Sequence, residues 1–307
     1  MVKNKHVKVA VVQAASVFFD LEKSVEKSIK LIKEAAASGA ELILFPEAFL
    51  PGYPRGMDFG AVVGSRTDEG RKAWQIYFDN AVKIPGEFTD KIAETVKECG
   101  CYVVMGVIEK DIRSMGTLYC TMLYFEPDGQ IIGKHRKLKP TGSERIIWGE
   151  GQGDDFDVYD TSFGRIGGLI CWENYMPLAR MALFQQGIGI YLAPTADARD
   201  TWQATIRHIA LEGRCFVLSC NQFVTKNMYP NDIPGIEKLD NYPEILSSGG
   251  SVVVSPLGKV ICGPLYDKEG ILFTDLNLDL ITQGRMDFDV SGHYHRPDIF
   301  QFSFGKK

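Results

Sequence analysis

Residues 165–174 read RIGGLICWEN, a short apolar run that stops abruptly at Cys171. Ile166, Leu169 and Ile170 predict a buried strand, with Gly167 and Gly168 letting another backbone come close. Trp172, Glu173 and Asn174 break the run, and Pro177 ahead of LARMALFQQG opens a helix that Gly187 ends. A residue at such a strand-to-helix junction is held by rigid elements yet faces a cleft, where α/β enzymes carry nucleophiles. Standing alone, Cys171 reads rather as a small buried hydrophobe, the common fate of a free cysteine.

Upstream, residues 7–13 alternate as a strand. Asp20 is an N-cap for a helix over 21–38, with Leu21, Val25, Ile29 and Ile32 at helical spacing and Gly39 to stop it. ELILFPE (41–47) is a second apolar strand running into a carboxylate, completing a βαβ unit. Residues 50–85 are irregular apart from a helix near 70–81, and a long aromatic-bearing loop beside a reactive residue reads as a binding loop. A helix over 86–99 feeds the strand CYVVMGVIE. Two further strands, joined by a turn at Pro127, Asp128 and Gly129, then deliver the basic cluster His135, Arg136, Lys137 and Lys139.

Downstream, IGIYLAP and CFVLSCNQ are strands flanking a helix over 201–214 that turns Trp202, Ile206, Ile209 and Leu211 inward. Residues 225–248 read as loop. SGGSVVVSPLGKVICGP is a hairpin turning at Pro256, Leu257 and Gly258, and GILFTDLNLDLI a last strand and short helix. Hairpins interrupt the crossovers, so the pattern predicts an α/β fold with two mixed sheets packed together and helices on both outer faces, not a parallel barrel. Without repeats or a linker-like shift in composition, one domain over 1–307 is expected, with its core over about 7–300.

Composition narrows the function. A hydrophobic content of 45% with 24% charged residues excludes a disordered chain, and 34 basic against 39 acidic residues, net charge -5, offers no basic excess for nucleic acid. The apolar run of the N-terminus is short and interrupted by Lys8, so it reads as a strand and not a signal peptide. Nowhere do 18 apolar residues run together, and a cytoplasmic protein is expected. Seven cysteines, an odd number without a CxxC pair, predict reduced thiols and no structural zinc. Cys99 and Cys101 are too close for ordinary disulfide geometry and read as sheet packing. His293 and His295 have the spacing of a strand-borne metal pair but no carboxylate or thiol cluster beside them, so no metal site is predicted; His135 and His208 read as surface or interface residues.

Three apolar strands end on reactive groups: Glu47 after LILFP, Lys137 after IIGKHR and Cys171 after IGGLI. Singly, Glu47 reads as a solvated carboxylate and Lys137 as part of a solvated basic edge. If the strands are neighbours, an acid, a base and a thiol meet at one rim of a sheet. A thiol with an ordinary pKa of about 8.5 needs help near neutrality. A carboxylate can take its proton, and an ammonium can stabilise the anionic nitrogen or oxygen formed when sulfur adds to a nitrile or amide carbon. No metal or cofactor is required for that addition.

The segments LFPEAFLPGYP (44–54), HRKLKPTGSE (135–144) and GLICWEN (168–174), in this order, resemble the nitrilase superfamily of carbon-nitrogen hydrolases. The resemblance spans nearly the whole chain and implies an αββα sandwich. It implies Glu47 as general base, Lys137 as the lysine stabilising tetrahedral intermediates, and Cys171 as nucleophile. Glu144, seven positions after Lys137, matches a second glutamate that positions the lysine, the substrate or water. Cys-Trp-Glu, with LPGYP, RKLKPT, SSGGSVVVSPLGKV and SGHYHRPD, looks like the nitrilase branch, and a small-molecule nitrile is the implied substrate; amidase and carbamoylase branches more often follow the cysteine with Tyr-Asp. Tyr53 and Trp172 are candidates for lining the pocket, though each also reads as core, and 226–246 reads as a pocket cover or an oligomer contact. The chain stops at Lys307, short of the long C-terminal extension many nitrilases use in helical filaments, so a homodimer or modest homo-oligomer is expected. The alternatives are an amidase or carbamoylase, a cyanide-processing enzyme, and a non-catalytic scaffold, which would be suggested by loss of a triad residue.

Overall fold

The computed structural model describes residues 5–305, and its elements follow the sequence alternation closely. The first part of the chain contains β1 (His6–Gln13), α1 (Leu21–Ala37), β2 (Leu42–Leu44), α2 (Asp68–Asp79), β3 (Val82–Lys83), α3 (Glu87–Cys99), β4 (Tyr102–Lys110), β5 (Leu118–Phe125) and β6 (Ile131–Arg136). The second contains β7 (Tyr159–Thr161), β8 (Gly164–Gly168), α4 (Pro177–Gln185), β9 (Ile190–Pro194), α5 (Asp200–Gly213), β10 (Phe216–Cys220), β11 (Phe223–Thr225), β12 (Ile245–Val254) and β13 (Val260–Tyr266). The last elements are β14 (Gly270–Asn277) and α6 (Asp279–Arg285).

Among the described residues these strands form two sheets. One runs β14-β1-β2-β4-β5-β6 with β3 beside β4; the other runs β11-β12-β10-β9-β8-β7 with β13 beside β12. Both are mixed: β1, β2 and β4 are parallel, as are β8, β9 and β10, and hairpin-type antiparallel pairs flank each set. Successive side chains of a strand point to opposite faces, which divides each apolar run between two layers. Val9, Val11, Leu42, Leu44, Val104 and Met122 of the first sheet therefore meet Ile166, Ile190, Leu192, Phe216 and Leu218 of the second in one core. Their neighbours Ala10, Val12, Ile43, Val103 and Met105 pack outward against Leu21, Val25 and Ile32 of α1 and Ile92 and Val96 of α3. On the far side Tyr191, Ala193, Val217 and Val252 pack against Leu183 of α4 and Trp202, Ile206 and Ile209 of α5. This is an αββα sandwich.

Local chemistry accounts for the boundaries. The Asp20 side chain accepts from Lys23 N at 3.0 Å to start α1, and Pro177 occupies the first turn of α4. Gly168 is required by packing: a Cβ there would lie 2.0 Å from the Leu192 carbonyl oxygen of β9. No helix among the described residues is long and apolar enough to cross a membrane.

Four expectations need correction. β8 ends at Gly168, so Leu169 and Ile170 are buried but lie beyond the strand. Leu211 is 41% exposed, because the inward face of α5 runs through Trp202, Ile206 and Ile209 at helical spacing and position 211 falls off it. Residues 225–248 are not all loop: Lys226–Met228 and Ile236–Asn241 are 3₁₀ turns, and β12 begins at Ile245. Cys99 closes α3 and Cys101 is buried just before β4, so neither lies in a strand; all seven cysteines are free thiols.

Candidate active site

Glu47, Lys137 and Cys171 lie beyond the ends of β2, β6 and β8, but not on one rim. In the first sheet β2 and β6 are separated by β4 and β5, and β8 belongs to the second sheet. The three groups converge because the two sheets face each other, so the acid and the lysine come from one sheet and the thiol from the other.

Each is placed by its backbone. The turn carrying Glu47 rests directly on β4: a Cβ on Gly106 would lie 2.0 Å from Pro46 O and 2.9 Å from Glu47 Cα. An isolated glycine within the apolar strand CYVVMGVIE is the sequence signal for that approach. Lys137 N donates to Cys120 O at 2.8 Å, extending the pairing of β6 with β5. Cys171 begins a 3₁₀ turn, Cys171–Tyr175, with φ 51, a left-handed conformation uncommon outside glycine and costly unless its surroundings impose it. Asn174 imposes it, its Nδ2 donating to Leu169 O at 2.9 Å and to Cys171 O at 2.8 Å while Tyr191 Oη donates to its Oδ1 at 2.8 Å.

Lys137 is fully buried. Its Nζ donates to Glu47 Oε1 at 2.7 Å and to Glu144 Oε2 at 2.8 Å, leaving one of three N–H donors. Glu144 also accepts from Thr141 N at 2.6 Å and from Tyr53 Oη at 2.6 Å, so both its oxygens are engaged. Glu47 differs. Its Oε2 is buried with no hydrogen-bond partner among the described residues. An unmet buried acceptor is costly and calls for an explanation. Thr195 Oγ1 accepts from Asp197 N at 2.9 Å, which leaves its proton for Cys171 Sγ at 3.2 Å.

Burial dominates the electrostatics. It pushes the Glu47 carboxyl up against the attraction of Lys137, and repulsion from Glu144 adds to the rise. It pushes the Cys171 thiol up to about 12, with repulsion from Glu47 reinforcing it and Lys137 and Thr195 opposing it. Burial opposes the charge on Lys137, yet Glu47, Cys171 and Glu144 together hold its pKa well above the ordinary lysine value. The resting site thus holds a protonated thiol, a cation, and a carboxylate of raised basicity. Two carboxylates around one ammonium can accept a proton from sulfur while the cation neutralises charge that develops beside it.

A cavity of about 520 Å³ opens onto Cys171 and Glu144, with Tyr53, Arg55, Trp172 and Ile245 among its walls. That volume suits a small molecule. Tyr53 and Trp172 both line it. Trp172 is 40% exposed and not core, and its Nε1 donates to Asp197 Oδ2 at 2.9 Å under the Arg199 guanidinium. Residues 226–246 border the site, for Tyr229 Oη donates to Tyr53 O at 2.8 Å and Leu246 reaches the cavity.

His135 overturns its surface reading: it is buried, its ring set between Glu173 and Asp155. Arg136 is half-buried and pairs with buried Glu109, whereas Lys139 is exposed and pairs with exposed Glu150, so only the end of the basic run is a solvated edge. Thr195, Asn174, Arg55 and Cys120 were not legible as site residues. Cys120 is a second buried thiol, its Sγ 3.6 Å from Glu47 Oε1, but unlike Cys171 it is not among the cavity walls.

The sequence pattern of the carbon-nitrogen hydrolase family matches residues 8–286. The chain is 52% identical over 292 residues to an aliphatic nitrilase of Sinorhizobium fredii, covering 95% of this chain and 93% of that one. It is 48% identical over 297 residues to a bifunctional nitrilase/nitrile hydratase of Nicotiana tabacum, covering 95% and 84%. In fold it is similar to the crystal structure of a carbon-nitrogen hydrolase from Helicobacter pylori, with a TM-score of 0.75 at 20% identity over 96% of this chain and 97% of that one.

Proposed function

The chain belongs to the nitrilase branch of the carbon-nitrogen hydrolase family, and we propose that it hydrolyses an organic nitrile to the carboxylic acid and ammonia through a covalent adduct on Cys171. One observation carries this reading: a fully buried ammonium held between two carboxylates, beside a thiol that faces a cavity of small-molecule size. One domain spanning about 7–300 is part of the proposal, supported by the family match over 8–286.

In the first step the Cys171 sulfur bonds to the nitrile carbon, and the thiol proton passes through Glu47 to the nitrile nitrogen, giving a thioimidate. Glu47 then deprotonates a water that adds to the same carbon, and Lys137 stabilises the tetrahedral adduct. Glu47 returns that proton to nitrogen; the C–N bond then breaks as the adduct's hydroxyl proton also passes, through Glu47, to the leaving nitrogen, so that ammonia departs and a thioester remains. A second water, again activated by Glu47, releases the acid and restores the thiol. Nitrile and two waters give acid and ammonia, with no electrons transferred. Glu144, pinned by Tyr53 and Thr141, positions Lys137. Were the C–N bond kept and the C–S bond of the adduct broken, with the adduct's hydroxyl proton returning to sulfur, an amide would leave instead.

Incubating the protein with nitriles, the matching amides and cyanide, and measuring acid, amide and ammonia, tests the activity. Acid and ammonia from nitriles are expected. Ammonia from amides alone would make the chain an amidase, turnover of cyanide alone a cyanide-processing enzyme, and no product from any would end the catalytic reading.

Glu47 must be ionised to take the first proton, and its pKa is raised above 4.5. As pH falls through the raised value the base is lost, so kcat/KM falls with an acid limb above the ordinary glutamate range. A profile flat down to pH ~4, the usual glutamate pKa region, contradicts Glu47 as the base.

A further inference from the structure

Glu173 follows the nucleophile by two positions, yet its side chain turns away from the cavity and is 1% exposed. Each of its oxygens accepts one backbone N–H. Oε1 takes Leu138 N at 2.7 Å, the residue after Lys137, and Oε2 takes Ile170 N at 2.7 Å, the residue before Cys171. Those two amides belong to the segments that follow β6 in one sheet and β8 in the other. His135 Nε2 lies 3.1 and 3.0 Å from the same two oxygens. On its other side His135 Nδ1 lies 3.2 Å from Asp155 Oδ1 and 3.3 Å from Asp155 O, and Asp155 Oδ2 accepts Arg136 N at 2.7 Å.

We propose that Glu173, fixed in place by His135, is a positioning residue that ties the backbone before Cys171 to the backbone after Lys137 and thereby sets the gap between sulfur and ammonium. The two N–H groups are adjacent in sequence to the reacting residues, so displacing the carboxylate moves both. Every atom facing the His135 ring nitrogens is an acceptor, which requires a proton on each and makes the ring a cation. Its pKa follows: burial opposes the charge, but Glu173 and Asp155 outweigh burial and raise it to about 10. The ring therefore stays charged across the neutral range and locks the carboxylate from behind. Asp155 extends the tie to Arg136, so the residues on both sides of Lys137 are held.

The proposal rests on Cys171 as nucleophile, and that is checked first and separately: iodoacetamide must abolish activity of the wild-type protein while alkylating Cys171. Glu173→Gln keeps size and one acceptor but turns an NH2 toward a backbone N–H. Expected is a kcat about 100-fold lower, the scale of a small misplacement of reacting groups, with KM within about threefold, because the cavity walls are untouched. His135→Gln keeps a neutral donor to Glu173 and should lose about tenfold, an intermediate effect typical of replacing a charge-assisted bond by a neutral one. A folded Glu173→Gln protein with near wild-type kcat overturns the proposal. So does a preparation in which active-site titration finds fewer thiols, each turning over at the wild-type rate, since that is loss of folding alone. If Glu173→Gln does not fold, His135→Gln decides, and unchanged kcat in that variant is equally fatal.

Discussion

Replacing Cys171 by alanine stops ammonia release and leaves the fold standing. The loss expected is about four orders of magnitude or more, since removing a nucleophile takes away the covalent route and not one stabilising contact. Stability should change by only about 1 kcal/mol, because Ala keeps the Cβ and one heavy atom is removed. The left-handed backbone at this position is held by Asn174 and not by sulfur, so the elbow persists. Cys120 is expected to offer no substitute route, because it is buried near Glu47 and, unlike Cys171, is not among the cavity walls. Ammonia release and thermal melting measured side by side check both halves; more than about one per cent residual turnover sinks the assignment.

Lys137→Met combines two effects. Turnover should fall by about 10²–10³-fold, the scale lost when a group stabilising transition-state charge is removed. Stability at neutral pH should also fall, by about 3–5 kcal/mol, because deleting one partner of a buried ion pair leaves the other charge uncompensated. Two carboxylates, Glu47 and Glu144, lose their shared cation here. The pH dependence has a definite sign. Lys137 is the attraction that opposes burial at Glu47, so its loss moves the Glu47 pKa further up. A carboxyl whose folded pKa lies above its unfolded value contributes stability below the unfolded pKa and loses it as pH rises through the folded one. The deficit in melting temperature should therefore be wider at pH 8 than at pH 5. An unchanged catalytic rate removes the lysine from the mechanism, and a deficit independent of pH removes the account of Glu47.

The layers were legible because period-two strands and period-3.6 helices leave different marks, and those of β1, α1 and β2 were unambiguous. Strand ends announced Glu47, Lys137 and Cys171. Strand order was not legible, since pairing depends on which edges meet and not on any single strand, and so the site was expected on one rim when it spans two sheets. Buried charges were missed for a related reason: His135 in HRKLK resembles a solvated cluster until Glu173 and Asp155, distant in sequence, are brought against it. Glu173 carried the nitrilase-branch resemblance, but nothing in the sequence announced its contacts, which are two backbone N–H groups and the His135 ring. Thr195 carries no signal of its own, being one hydroxyl after an apolar strand.

The division of the site between two sheets also has a consequence for biosynthesis. Glu47 and Lys137 leave the ribosome before Cys171, and β14, which pairs with β1 along its length, leaves long after all three. Until the second sheet has formed and closed over the first, the thiol has neither base nor cation beside it and behaves as an ordinary cysteine. A nascent or broken chain therefore lacks the acid and the ammonium that stand beside the sulfur in the folded protein, and the assembled set arrives only with the completed fold.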